Sequence, residues 1–196
     1  MDNNDFTDLI ARVRSGDQAA AAEIVTNYES LIRREVRMRL EDARLRRVLD
    51  SMDVVQSVMA SFFVRSAIGE YDLDDPKQLI RLLITMTKNK VASAARREHR
   101  QKRDQRRTTS DDAALLGVAQ QGESPSQIAS GNELIARAKE LLGQDERQMA
   151  ELRAQGQSWD EIAQEMGGTA QARRVQFSRA VDRVSKLIGI EEESDE

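Results

Sequence analysis

Two adjacent glycines, Gly167 and Gly168, separate two stretches of helical periodicity near the carboxyl end of the chain. Before them, Ser158 and Glu161 have the spacing of a capping box, in which each side chain satisfies an otherwise unpaired backbone N–H at a helix start. A glycine pair can end that helix because its left-handed conformation carries no Cβ penalty. Thr169 can cap the next helix, so the pattern predicts two helices joined by a tight turn.

The second of these helices has two different faces. Its apolar positions recur at helical spacing, at Phe177, Val181, Val184 and Ile188. The other side carries arginine, glutamine and serine, which can hydrogen-bond to base edges or hold phosphate. The stretch from Gly156 to Ala180 therefore predicts a DNA-reading helix-turn-helix. A packing hairpin with a solvated arginine face is the alternative.

Composition favours an all-α protein and excludes several kinds of site. Of the 196 residues, 33% are charged and only 4% aromatic, a profile typical of helical proteins. The chain has no cysteine and a single histidine, His99, so thiolate and histidine-cluster metal sites are excluded. The acidic pairs Asp50/Asp53 and Asp74/Asp75 fit a helix start and a turn better than a catalytic pair. We therefore predict no catalytic residue, no metal and no cofactor, which leaves an enzyme as a distant alternative.

Two targeting signals are missing from the sequence. The amino terminus has acidic residues where a signal peptide has a basic region, and no apolar run approaches the ~20 residues of a membrane span. We therefore expect a cytoplasmic protein without membrane insertion.

Helical periodicity divides the chain into two parts. Residues 1–107 predict a helical bundle whose last helix ends in a basic run, with seven Lys/Arg from Arg96 to Arg107 although the net charge is −4. Residues 108–131 are rich in Ser, Thr, Gly, Gln and Asp without a sustained period, which predicts a flexible linker. Residues 132–190 predict a second small domain that holds the hairpin, and residues 191–196 are an acidic tail. The predicted fold is thus all-α, with two small helical domains joined by a flexible linker.

Several residues predict where individual helices begin or pack. Asp17 can cap the second helix, Asp50 or Ser51 can cap the third, and Pro76 suits the first turn of the fourth. Trp159 directly follows its cap and is expected to anchor the second core.

In their order, these segments resemble an extracytoplasmic-function (ECF) sigma factor, the two-domain minimal class of bacterial sigma factors. The resemblance covers nearly the whole chain, and the ordered set is more specific than any of its members. It rests on GDQAA at 16–20, DVVQ at 53–56 followed by Phe62, TKNKV…RR at 87–97, SPS at 124–126 and GQSWDEIAQEMGG…SRA at 156–180.

The resemblance implies roles for the first domain, which corresponds to sigma region 2. Its third helix would bind the clamp helices of the largest subunit of RNA polymerase core through Asp53, Gln56 and Phe62. The loop at 70–77 and the following helix would capture the strand that separates at the −10 promoter element. The residues implied there are Tyr71, Lys88, Asn89, Ser93, Arg96, Arg97 and Arg100.

The second domain would correspond to sigma region 4. Its recognition helix would contact the −35 element, while other surfaces of this domain meet the polymerase flap. The implied DNA contacts are Gln171, Arg174, Val175, Ser178 and Arg179. The expected function is to bind polymerase core, recognise both promoter elements and help to open the promoter. An anti-sigma factor or another regulator is a further partner that the resemblance allows, although no anti-sigma partner is visible in the sequence.

The alternative is a helix-turn-helix regulator that binds DNA but does not recruit polymerase. In that case the helix surface with Asp53 and Gln56 would be an ordinary solvated face.

The chain departs from the family pattern at several positions. Ser57 follows Gln56 where an acidic residue is usual, and Met52 stands where glutamate is common. The strand-separating helix lacks tryptophan, so base stacking falls to Tyr71 or is absent. Arg173 occupies a usually aliphatic position, and burying its charge unpaired would cost several kcal/mol. We therefore expect Arg173 to reach a phosphate or to pair with an acid.

Overall fold

The computed structural model describes residues 3–39, 50–107 and 129–190, and within these ranges every regular element is an α-helix. The all-α fold class is thus confirmed. The helices are α1 (Asn3–Arg14), α2 (Gln18–Arg39), α3 (Ser51–Ala67), α4 (Pro76–Arg107), α5 (Ala129–Glu140), α6 (Gln144–Ala154), α7 (Trp159–Met166) and α8 (Ala170–Leu187).

The described ranges omit most of the predicted linker and the predicted acidic tail. Residues 108–128 and 191–196 lie outside them. Helix α5 begins at Ala129, so the last positions assigned to the linker belong to a helix. None of the helices in the described ranges is long and apolar enough to cross a membrane.

Acidic side chains begin α2, α3 and α4, as predicted for the first two of these helices. Oδ1 of Asp17 accepts hydrogen bonds from the backbone N–H groups of Ala19 and Ala20. Asp50 caps α3 through the N–H of Met52 at 2.9 Å. Asp75 accepts from two N–H groups in the first turn of α4, which begins with Pro76 as its φ angle favours.

Helices α1 to α4, here called the amino-terminal half, pack around one apolar core. Helix α3 lies at its centre, in contact with α1, α2 and α4. The broad apolar face of α3 explains this position, since a helix that is apolar over most of its circumference must be covered on several sides. The largest fully buried side chains of this core are Phe6, Leu9, Ile24, Ile32, Phe62, Leu79 and Leu83.

Helices α5 to α8, the carboxy-terminal half, form a second core. Trp159 anchors it, as predicted, with its ring centroid 5.5 Å from that of Phe177 in a tilted arrangement. This core also contains Val64 of α3 and Ile68, which directly follows α3; each is 1% exposed. The two halves therefore share an apolar interface, and the division into domains at 1–107 and 132–190 stays a prediction.

Candidate functional site

The turn between α7 and α8 is built from local signals. Ser158 and Glu161 form the predicted capping box: Oγ of Ser158 accepts from the N–H of Glu161 at 3.3 Å, and Oε2 of Glu161 accepts from the N–H of Ser158 at 2.7 Å. The hydrogen bonds that Ser158 donates to this carboxylate, from its N–H and from its hydroxyl, hold the pKa of Glu161 below its usual value. Gly167 and Gly168 have φ angles of 78° and 86°, where an L side chain would be strained. Oγ1 of Thr169 then caps α8.

Arg173 closes this turn through contacts that the sequence did not predict. Its Nε donates to the backbone oxygen of Gly167 at 2.9 Å and its Nη2 to that of Met166 at 2.5 Å, while Nη1 donates to the side chain of Gln176 at 3.0 Å. The last carbonyl groups of a helix lack partners within it, and the helix dipole makes them partly negative. Within the described residues, Arg173 thus pairs with backbone carbonyls and not with an acidic side chain, and its contact with a phosphate stays a prediction.

The exposed side of α8 carries most of the residues predicted to read the −35 element. Gln171, Arg174 and Arg179 are exposed, and Val175 is 37% exposed. Gln171, Val175 and Arg179 line an open groove of about 740 Å³ that runs along the helix. Their spacing of four residues places them on one face.

Two side chains of α8 have partners within the chain that were not predicted. Ser178, predicted to contact DNA, is half-buried and donates to Oε1 of Glu70 at 3.3 Å. Arg183, which was not predicted as a contact, joins the groove lining and donates to Oε2 of Glu146 at 2.5 Å. Arg183 lies four residues after Arg179, and this spacing could have predicted that both residues lie on the same face of α8.

A second cavity, of about 400 Å³, lies beside α4. Four of the seven residues predicted to capture the separated strand line it: Tyr71, Asn89, Ser93 and Arg96. The last three recur at helical spacing, and Arg96 donates to Oγ of Ser93 at 3.0 Å. The other three predicted residues are exposed on α4 outside the lining, at Lys88, Arg97 and Arg100.

Tyr71 is held at the wall of this cavity from two directions. Its ring is nearly parallel to that of Phe62, with centroids 6.3 Å apart. Nη2 of Arg14 donates to its backbone oxygen at 2.5 Å, and burial lowers the pKa of Arg14. The half-buried ring is thus fixed in place while part of it remains accessible.

The cavity also has lining residues that sequence reasoning did not identify as site residues. Arg65 and Lys90 add positive charge, and Asp182 reaches it from α8. Arg65 followed the apolar run of α3, and its burial could not be predicted from helical spacing alone.

On α3, Asp53 and Gln56 are exposed, as predicted for a polymerase contact. Phe62 was predicted to make the same contact, but its side chain does not reach the surface in this structure. Phe62 is 0% exposed and packs in the amino-terminal core, with its ring centroid 5.4 Å from that of Phe63. Its side chain packs α3 against the amino-terminal core.

Comparison with known proteins identifies one family. The model of the family described as ECF sigma factor matches residues 3–185, a span that includes both the α3–α4 surface and the α7–α8 turn. No curated protein matches the chain.

Proposed function

Because the chain belongs to the ECF sigma factor family, we propose that it binds RNA polymerase core, recognises the −35 and −10 promoter elements and helps to open the promoter. The family consists of DNA-binding factors of transcription initiation and not of enzymes. RNA polymerase and promoter DNA lie in the cytoplasm, so we place its action there.

The cavity beside α4 is the observation that carries this proposal. Capturing a single strand requires positive charge along the backbone and a pocket that accepts an unstacked base. Arg96 and Lys90 supply the charge, and Tyr71 supplies an aromatic surface in the wall. Its volume of about 400 Å³ falls within the ~300–1,000 Å³ typical of small-molecule pockets.

Helix α8 supports the assignment of duplex reading to the carboxy-terminal half. A major groove admits one α-helix, whose arginine and glutamine side chains can address guanine and adenine edges. Gln171, Arg174 and Arg179 offer these groups on the exposed side of α8. The hydrogen bonds that Arg173 donates to Met166 and Gly167 fix the end of α7 against α8.

We assign polymerase binding to the exposed carboxylate and amide of Asp53 and Gln56 on α3. The test is equilibrium binding of the fluorescently labelled full chain to purified polymerase core. Asp53→Lys with Gln56→Ala should weaken binding at least about tenfold, because reversing the charge on a contact face removes an attractive contact and adds a repulsive one. The matched control is Asp8→Lys, an equal charge change at an exposed position of α1.

Equal affinity for the wild type, the double variant and the control would remove Asp53 and Gln56 from the interface. Sequence-specific DNA binding by a chain that does not bind core would instead identify the alternative function, a regulator that does not recruit polymerase.

A further inference from the structure

The carboxy-terminal half is docked on α3, the same helix that carries the proposed polymerase contacts. Val64 and Ile68 are buried in the carboxy-terminal core, and the partly buried Ala60 packs against it. An α-helix turns by about 100° per residue. Asp53, Gln56, Ala60, Val64 and Ile68 therefore share one face, so docking covers the direct continuation of the proposed polymerase surface.

Arg65, a buried charge of α3, joins the two halves through an ion pair with Asp182 of α8 and is also paired with Glu70 of its own half. Its side chain is only 7% exposed. Nη1 donates to both carboxylate oxygens of Glu70 at 3.0 and 2.8 Å, and Nη2 donates to Oδ1 of Asp182 on α8 at 2.6 Å. Ser178 donates to the same Glu70 carboxylate. A buried charge is tolerated when it is paired in this way, and losing a partner is strongly unfavourable.

Arg153 of α6 makes a second connection, to the loop after α3. Nε donates to the backbone oxygen of Gly69 at 3.2 Å, and Nη2 donates to the carboxylate of Asp72. Gly69 has a φ of +84°, and a Cβ added there would lie 2.7 Å from Cβ of Arg153. Only glycine permits this close approach. A third connection comes from α4, where Nζ of Lys90 donates to the backbone oxygen of Ile190, after α8, at 2.6 Å.

These contacts occupy groups that the proposed function needs elsewhere. Ser178 cannot contact DNA while it donates to Glu70, and Asp182 places a carboxylate at the cavity assigned to a polyanionic strand. We propose that docking of the carboxy-terminal half on α3 is an autoinhibitory contact: the closed chain is incompetent for polymerase binding, and polymerase core binds the open form. The identity of the inhibited partner rests on the proposed function above.

The closed form makes a quantitative prediction. When only a fraction of the chain is open, the apparent dissociation constant for core is the intrinsic one divided by that fraction. A substitution that opens the chain should therefore tighten core binding by at least about tenfold. An ordinary destabilising substitution would weaken binding, so the direction of the change distinguishes the two.

Two opening variants have matched controls in the same chain. Asp182→Lys removes a partner of Arg65 and adds a repulsion at a half-exposed position; its control is Glu165→Lys, the same charge change at an exposed position of α7. Gly69→Ala introduces the clash with Arg153. Its control is Gly156→Ala, which has the same backbone strain at φ +85° but meets nothing within 4 Å.

The readouts are energy transfer between the two halves and affinity for polymerase core. The chain has no cysteine of its own, so fluorophores can be attached after Asn27→Cys and Gln148→Cys, at exposed positions of α2 and α6. We expect efficient transfer in the free wild type and in both controls, a loss of transfer on adding core, and low transfer with tighter core binding in both opening variants.

Low transfer in the free wild type would overturn the closed form. Opening variants that lose transfer but bind core no more tightly than their controls would overturn autoinhibition. If neither the wild type nor any variant binds core, the proposed function is wrong, and autoinhibition of polymerase binding is wrong with it. The energy-transfer measurement still decides separately whether the two halves dock.

Discussion

Arg173 donates a hydrogen bond from Nη2 to the backbone oxygen of Met166 at 2.5 Å, across the turn between α7 and α8. The guanidinium thereby occupies the carboxyl end of α7, where the helix dipole favours positive charge. The sequence left open whether Arg173 is buried without a partner, but in the structure its hydrogen bonds stabilise the turn.

Replacing Arg173 should destabilise the carboxy-terminal half. Arg173→Met keeps much of the apolar stem but removes the donors to Met166 and Gly167, so we expect a loss of about 1 kcal/mol in the free energy of unfolding. Denaturant unfolding followed by Trp159 fluorescence measures it. The control is Arg174→Met at the exposed next position; an equal loss in both variants would deny Arg173 a special role in the turn.

The capping box of α7 predicts a titration shift. In the wild type, hydrogen bonds from Ser158 hold the pKa of Glu161 below its usual value. Ser158→Ala removes the hydroxyl donor but keeps the backbone N–H, so this pKa should rise part of the way toward its usual value. Loss of the cap should lower helix stability by about 0.5–2 kcal/mol. Because the pKa is depressed in the folded chain, the stabilisation from Glu161 is present above its ordinary pKa and is lost as the pH falls through the depressed value. Carboxyl NMR titration of both proteins checks this; identical Glu161 titration curves would contradict it.

Because Glu70 lies between the two halves, we predict that the closed form becomes more stable relative to the open form in mild acid. Burial, to which docking contributes, raises the pKa of Glu70 above its ordinary value of 4.5; the facing Arg65 opposes this shift and the facing Asp182 adds to it. The closed form therefore binds the proton more tightly, and docking is favoured as the pH falls through the raised value toward 4.5. In the labelled Gly69→Ala variant, in which the open form predominates, energy transfer should rise over that window, and adding Glu70→Gln should flatten the rise. A fall in transfer over the same window would contradict the assignment.

Arg96 should matter more for promoter opening than for binding polymerase. It lines the cavity beside α4, so Arg96→Ala removes a charge that we propose contacts the separated strand, and it leaves the proposed polymerase surface of α3 unchanged. We expect about a tenfold loss in the rate of open-complex formation, measured by permanganate reactivity of unpaired thymines, with unchanged affinity for core. Arg34→Ala on α2 is the charge-matched control. Parallel losses in opening and core affinity would move Arg96 to the polymerase interface.

Local features of the fold followed directly from the sequence. The caps at Asp17, Asp50 and Thr169 depend on residues three or fewer positions away, and the structure confirms them. Their side chains reach backbone groups in the same turn, so spacing alone is enough to predict them.

Non-local features did not follow from the sequence. Helical spacing identified the apolar face of α3, whereas the polymerase contact of Phe62 was implied only by the family resemblance, and its side chain is fully buried. The docking of Val64 and Ile68 against the carboxy-terminal core depends on packing between distant segments. Likewise, Arg65 meets Asp182 across 117 positions of sequence, a pairing that no local pattern encodes.

Run-off transcription tests the central claim most directly. Purified full chain is combined with polymerase core and a library of genomic fragments, and transcripts are sequenced from their 5′ ends. We predict discrete start sites that require the chain, with shared sequence elements upstream at the −10 and −35 positions. Transcripts that are the same with and without the chain, under conditions in which a known sigma factor directs initiation by the same core, would contradict it.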